Sequence, residues 1–301
     1  MEQENYREVV DLLKRASELL PQKEFEKNYF TIFFNIAIFS TNCDMYDESI
    51  KTLICLVEQG YACPLYWECF EPLKEDMRYT NLKQKNDILI KQAEKKSKLE
   101  YAVHLPENYN KDKQYPLFFN LHGDGENMKV HSQYWKPDAF LKKDFIVVYA
   151  QSSQVIYHNG YGWLKDSLKA RNEIRDLYDL ILNQYSIDKK CIIIGGFSGG
   201  AITAIDITMT NDFLVKGFIS ICPSKKPESF NKENVQYAIK RGTKGVLMEG
   251  EYNMPVPDEE EMVNVFKEVG FPYEYYINKG IGHWYPKDLS DKVEKALEFI
   301  L

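Results

Sequence analysis

Two stretches of this chain carry residues whose types and spacing could do chemistry. The first is Cys191-Ile-Ile-Ile-Gly-Gly-Phe-Ser198-Gly-Gly-Ala. An apolar run of strand length leads into Gly196-Phe197-Ser198-Gly199-Gly200, and small and apolar residues follow at helical spacing. A strand that turns at once into a helix leaves little room for side chains two residues before and two after the turning residue. Glycine fits at both. The serine hydroxyl is then held out beyond the strand, and the N–H of Gly199 points where a carbonyl oxygen could sit. That is how a nucleophilic serine would be presented. Alone, the pattern reads equally as a glycine-rich turn; the strand before it and the helix after it give it weight. The second stretch is Gly280-Ile281-Gly282-His283-Trp284. A histidine on a glycine-bearing loop can swing its ring toward a serine and take its proton. The other histidines suit that role less well: His104 ends a strand candidate, His131 and His158 lie in upstream loops, and His122 stands in a His-Gly pair.

Upstream lies Pro116-Leu-Phe-Phe-Asn-Leu-His122-Gly123-Asp124-Gly125, preceded by Tyr101-Ala-Val-His-Leu-Pro-Glu-Asn-Tyr. With the serine turn, these resemble an esterase or acyl-hydrolase of the α/β-hydrolase superfamily, over about residues 99–301. The resemblance implies an oxyanion donor from the N–H of Asp124 beside that of Gly199, with His122 orienting the loop. It implies a base that comes last in chain order, which fits His283. It also implies that Trp163, in Tyr157-His158-Asn159-Gly160-Tyr161-Gly162-Trp163, walls the substrate pocket; a packed aromatic cluster is the alternative. The third triad member departs from the pattern. After the strand candidate 245–248 comes Glu249-Gly250-Glu251-Tyr252-Asn253-Met254-Pro255-Val256-Pro257-Asp258. Asn253 aligns with the aspartate of related hydrolases. An amide can orient an imidazole but cannot balance its positive charge. Glu251 is the first alternative. Asp258 is the second, although it also suits a cap for the helix that begins at Glu259.

These residues need elements to position them. From residue 99 onward, apolar runs at 99–104, 117–121, 145–150, 191–194, 217–222, 245–248 and 273–277 read as strands. Helical stretches at 171–184, 199–209, 259–269 and 289–301 alternate with them. Continuous apolar strands separated by helices predict a mostly parallel central sheet with helices on both faces. The first ninety residues read differently. Val9, Leu12, Leu13, Ala16 and Leu20 recur at helical spacing, a second helix covers about 29–41, and a third starts near Tyr46. Asn42-Cys43-Asp44 supplies the turn between the last two. This pair resembles one tetratricopeptide unit. A solenoid wants about three such repeats, so these helices are expected to pack on the second domain and to offer a surface for a protein partner. The expected domains are 1–92, helical, and 93–301, hydrolase-like, with the charged Lys95-Lys96-Ser97-Lys98 near the boundary.

Bulk properties narrow the classes. Of 301 residues 44% are hydrophobic, enough for a sizeable core. The net charge is −7 with no basic stripe, which argues against nucleic acid. The start, MEQENYREVV, lacks the basic and apolar segments of a signal peptide. The strongest apolar run, 31–39, is too short to span a bilayer. The expectation is a cytoplasmic protein with no membrane partner. Six cysteines without a CxxC pair read as buried thiols, with a disulfide or metal site among the first four as the alternative. There is no GxxxxGK[ST] loop, no HExxH and no metal-ligand spacing, so no cofactor is called for. The sequence therefore predicts a serine hydrolase acting on a small carboxylic ester through an acyl-enzyme. Peptide or thioester cleavage could use the same machinery. The rival is a hydrolase-fold protein of little catalysis that binds another protein.

Overall fold

The computed structural model describes residues 2–301. The chain divides into two compact units, the first comprising the chain up to Ser97 together with Val155–His158, the second Lys98–Gln154 and Asn159–Leu301.

The first unit holds α1 (Glu2–Lys14), α2 (Ala16–Leu19), α3 (Gln22–Asn42), α4 (Tyr46–Glu58) and α5 (Tyr79–Lys96), with a 3-10 stretch at Glu68–Glu75 between the last two. The turn expected at 42–44 is present, and Asp44 takes φ 63° there, a conformation its short polar side chain tolerates. Phe34, Ile50, Leu53, Leu56, Phe70 and Leu82 bury one another as the main core of this unit. Below the turn, the hydroxyls of Thr41 and Ser49 meet at 2.7 Å and both reach the Ala37 carbonyl, so these two buried hydroxyls satisfy each other and the helix backbone.

In the second unit β1 (Glu100–His104) and β2 (Tyr115–Leu121) are followed by α6 (Met128–Tyr134), α7 (Asp138–Leu141) and β3 (Ile146–Gln151). Next come β4 (Val155–Tyr157), which is counted with the first unit, β5 (Gly160–Tyr161), α8 (Ser167–Gln184), β6 (Ile187–Phe197) and α9 (Gly199–Thr210). The chain closes with β7 (Gly217–Ile221), α10 (Lys232–Lys240), β8 (Lys244–Gly250), α11 (Pro257–Val269), β9 (Tyr273–Asn278) and α12 (Leu289–Ile300). Seven strands form one sheet in the order β1-β3-β2-β6-β7-β8-β9. Only β1 runs antiparallel to its neighbour.

Alternation along the strands builds two cores. Leu117, Phe119 and Leu121 face one side with α8, α9, α10 and α11, while Phe118 faces the other with α7 and α12. A strand buried on both faces must be apolar at every position, which is why 191–194 and 217–221 read as unbroken apolar runs. The parallel strands all end at one edge, and there the serine, the His-Gly pair and the acidic turn converge. In open α/β sheets that carboxyl edge is where ligands bind.

Candidate active site

The turn after β6 is fixed by glycine. A β-carbon on Gly196 would run into the backbone of Gly200, and one on Gly200 into the carbonyls of Leu121 and His122. The first turn of α9 therefore lies directly on the end of β2. Ser198 itself sits at φ 51°, ψ −116°, with its N–H bonded to the Ile221 carbonyl at 2.8 Å. A non-glycine residue in that region costs of order 1–3 kcal/mol and persists only where its surroundings over-determine it. Ser198 stays half-buried while the glycines on either side are buried.

Asp124 and Gly199, expected to supply the two oxyanion amides, are neighbours. A β-carbon on Gly199 would collide with the Asp124 carboxyl. The N–H of Gly199 stands in the first turn of α9, where amides have no partner within the helix. The Asp124 side chain ties its loop to the segment after β5. It accepts the N–H of Trp163 at 2.8 Å and of Leu164 at 3.4 Å. Burial raises its carboxyl above the ordinary range, and the two N–H bonds and Lys225 oppose that rise.

His122 is fully buried. Its Nδ1 is 2.8 Å from the Gly123 carbonyl and its Nε2 accepts the Ser152 N–H at 3.2 Å, which fixes the proton on Nδ1. Burial pushes its pKa down to about 4, so the ring is a neutral brace. Trp163 corrects an expectation. It is fully buried, packs tilted against His122 with ring centroids 5.0 Å apart and donates its indole N–H to the His122 carbonyl at 2.9 Å. It props the His122–Asp124 loop and, being fully buried, offers no face to a substrate.

The other histidines are placed elsewhere. His104 packs against Tyr149 and His158 against Phe30 and Tyr61. His131 is fully buried, with Nε2 at 2.7 Å from the Asn120 side-chain carbonyl and Nδ1 at 2.7 Å from the Tyr285 hydroxyl. Tyr285 in turn bonds the Glu126 carboxyl at 2.9 Å, and that carboxyl accepts the Gly123 N–H at 3.3 Å. Sequence reasoning passed over this chain of polar groups, which ties the His122–Asp124 loop to the loop carrying His283. An asparagine inside the apolar β2 was its one visible sign.

His283 lies on the solvent side of this wall. Its ring packs on Phe197, the residue before the serine, at 5.1 Å between centroids. That contact brings it to the turn, although no hydrogen bond joins it to Ser198. Desolvation lowers its pKa below the ordinary histidine value, and the charge of Glu249 works in the opposite sense. The loop that carries it is zipped to the acidic turn. Tyr252 N–H reaches the Ile281 carbonyl at 2.9 Å, and a β-carbon on Gly250 would strike the Gly282 carbonyl.

Of the three acid candidates, only Asn253 touches the base, with its Nδ2 at 3.3 Å from His283 Nδ1. Glu251 accepts the Gly280 N–H at 2.8 Å, and Asp258 accepts the Lys226 N–H at 3.1 Å. Sequence reasoning missed a further carboxyl. Glu249, fully buried near the end of β8, accepts the Asn253 amide at 3.1 Å and the Gly250 N–H at 2.7 Å. An acidic residue closing an otherwise apolar strand was the available signal.

Among the described residues no group of His, Cys, Asp and Glu is arranged to hold a metal ion, and no helix is long and apolar enough to cross a membrane. All six cysteines are free thiols.

No protein-family model matches the sequence, and no curated protein matches it. Solved structures do match the fold. An uncharacterized protein from Bacillus cereus is 20% identical, with a TM-score of 0.58, and the match covers 98% of each chain. A ferulic acid esterase is 17% identical at TM-score 0.57, the match covering 68% of this chain and 92% of that one. Esterase PE8 is 18% identical at TM-score 0.53, with 68% of this chain and all of that chain covered. The chain carries an α/β-hydrolase fold preceded by a helical region.

Proposed function

We propose that this protein is a serine hydrolase that cleaves carboxylic esters through an acyl-enzyme. The observation that carries the reading is Ser198 at φ 51° on a glycine-locked turn, with Asp124 against Gly199 on one side and His283 against Phe197 on the other. A strained serine so framed has little structural use. In the proposed reaction Ser198 Oγ attacks the acyl carbonyl as His283 Nε2 takes its proton. The N–H groups of Gly199 and Asp124 hold the developing oxyanion. The imidazolium gives its proton to the departing alcohol, and water then releases the acid by the same steps in reverse. Hydrogen bonds between serine and base often tighten only when substrate is bound, so their absence here is compatible with the role. The names of two proteins of like fold, both esterases, favour an ester over an amide; that support is by analogy of fold.

The test is labelling with a fluorophosphonate probe, which reports an activated serine whatever its substrate, followed by a panel of aryl esters, thioesters and peptides. Labelling confined to Ser198, with esters cleaved fastest, is the expected result. Labelling at another serine in folded Ser198→Ala protein would overturn the assignment, and preference for a thioester or peptide would change the substrate class.

A further inference from the structure

The contact between Asn253 and His283 uses the wrong amide atom for a triad. In a serine triad the third member accepts the Nδ1–H of the histidine, which leaves Nε2 free to take the serine proton. Here the Asn253 atom facing Nδ1 is Nδ2, a donor. The same Nδ2 faces Glu249 Oε1 at 3.1 Å. Its two hydrogens serve the two neighbours, so His283 Nδ1 must be the unprotonated nitrogen and the ring proton sits on Nε2.

Glu249 dictates that orientation. Turning the amide over would set Asn253 Oδ1 against the Glu249 carboxylate, two acceptors with no hydrogen between them. Glu249 presents an acceptor to the amide for a geometric reason. Its Oε1 receives two N–H donors, from Gly250 and Asn253. Its Oε2 and the Oε1 of Glu259 are both buried without a hydrogen-bond partner, which one proton shared between the two carboxyls explains. Burial, then the Glu249 charge, push the Glu259 pKa up to about 8, and wherever the shared proton sits Glu249 Oε1 remains an acceptor.

We infer that Glu249 is a positioning residue that locks the Asn253 amide and thereby holds His283 in the Nε2–H tautomer, keeping Ser198 below its full reactivity. The consequence for Ser198 rests on the function proposed above; the tautomer does not. Removing the Glu249 acceptor frees the amide to turn, present Oδ1 to His283 and release Nε2 as the base.

The experiment reads the tautomer directly. Full-length protein with 15N-labelled histidine is observed by NMR at about pH 7, above the ordinary imidazole pKa of about 6.5, and His283 is assigned from the resonances lost in His283→Asn. Native protein should show a protonated Nε2, and Glu249→Leu, which removes the acceptor, should move the proton to Nδ1. Fluorophosphonate labelling of Ser198 should quicken about tenfold in the same variant. If Glu249→Leu does not fold, the half-buried Asn253→Asp serves, because an acceptor-only side chain must also draw the proton to Nδ1. Native protein already protonated on Nδ1, or a folded variant with the proton still on Nε2, overturns the lock. A reversed tautomer with no labelling in any variant leaves the lock standing and sinks the proposed function. Labelling of Ser198 with an unmoved tautomer does the opposite.

Discussion

The two halves of this site are held by different physics. Around Ser198 the constraint is steric. Gly196 and Gly200 leave no space for a β-carbon, and the backbone of β2 abuts the first turn of α9. Around His283 the constraint is electrostatic: a buried carboxylate fixes an amide, and the amide fixes a ring. A steric constraint tolerates one residue type and survives any change of protonation. A chain of hydrogen bonds can be rewired by changing one donor into an acceptor. The serine side should therefore break when altered, and the histidine side should be tunable in both directions.

The largest effect belongs to Ser198→Ala. It should abolish both probe labelling and hydrolysis of short aryl esters while leaving the fold intact, which circular dichroism would verify. Next comes Gly200→Ala. Its added methyl meets the carbonyls of Leu121 and His122, which are backbone and cannot yield. Overpacking of this kind costs about 1–3 kcal/mol, and displacement of the amides proposed to hold the oxyanion can cost about 10²-fold in rate. Thermal melting and labelling rate should fall together. A variant as stable and reactive as the native protein would show that the turn is not rigid.

On the histidine side the largest change should be a gain. Asn253→Asp replaces a donor facing His283 with an acceptor and should raise esterase turnover. Loss of the triad aspartate costs about 10⁴ in a working protease, an outer bound for what can be recovered. Glu249 limits the gain, because two carboxylates would then face each other. Combining Asn253→Asp with Glu249→Gln should exceed Asn253→Asp alone by several-fold. Equal rates for the two would mean that Glu249 does not govern the position.

These two halves were also unequally legible in the sequence. All seven strands of the large sheet were expected within a few residues; the inner ones are buried on both faces and leave apolar runs, while the half-buried edge strands β1 and β9 still carry aromatic and apolar residues. The glycine spacing announced the turn. What stayed hidden were short elements and buried polar groups. α7 is a single turn, too short for a period to show. Glu249 follows Met248 without a break and reads as the start of a loop, yet it belongs to β8 and is fully buried. Burial of a charge depends on partners such as Asn253 and Glu259, which local pattern cannot reveal. The Tyr285–His131–Asn120 chain spans three segments and is invisible for the same reason.

A smaller effect is expected from pH. Desolvation holds the His283 pKa below the ordinary histidine value. A base works in its neutral form, so labelling should stay constant from neutral pH down past about 6.5 and fall only below it. Glu249 raises the His283 pKa, so Glu249→Gln should carry the midpoint lower still. A midpoint above the ordinary value in the native protein would mean that desolvation is not the dominant influence on the ring.

The smallest effect should come from Glu251→Gln, and its smallness is informative. Glu251 stands two residues before Asn253, and sequence alone left it open as the triad acid. In the structure its Oε2 accepts the Gly280 N–H at 2.8 Å in an exposed part of the loop. A glutamine carbonyl can accept the same N–H, so the substitution keeps the bond and loses only a solvated charge. Exposed charge effects of this kind are worth about 0–1 kcal/mol, which places the change in turnover within about fivefold. The labelling rate of Ser198 and the His283 tautomer should not move. A collapse of activity in folded Glu251→Gln protein would make Glu251 the acid, complete the triad and remove the reason for expecting Asn253→Asp to help. The contrast between a rigid serine side and a tunable histidine side would then fail, since both halves would be locked.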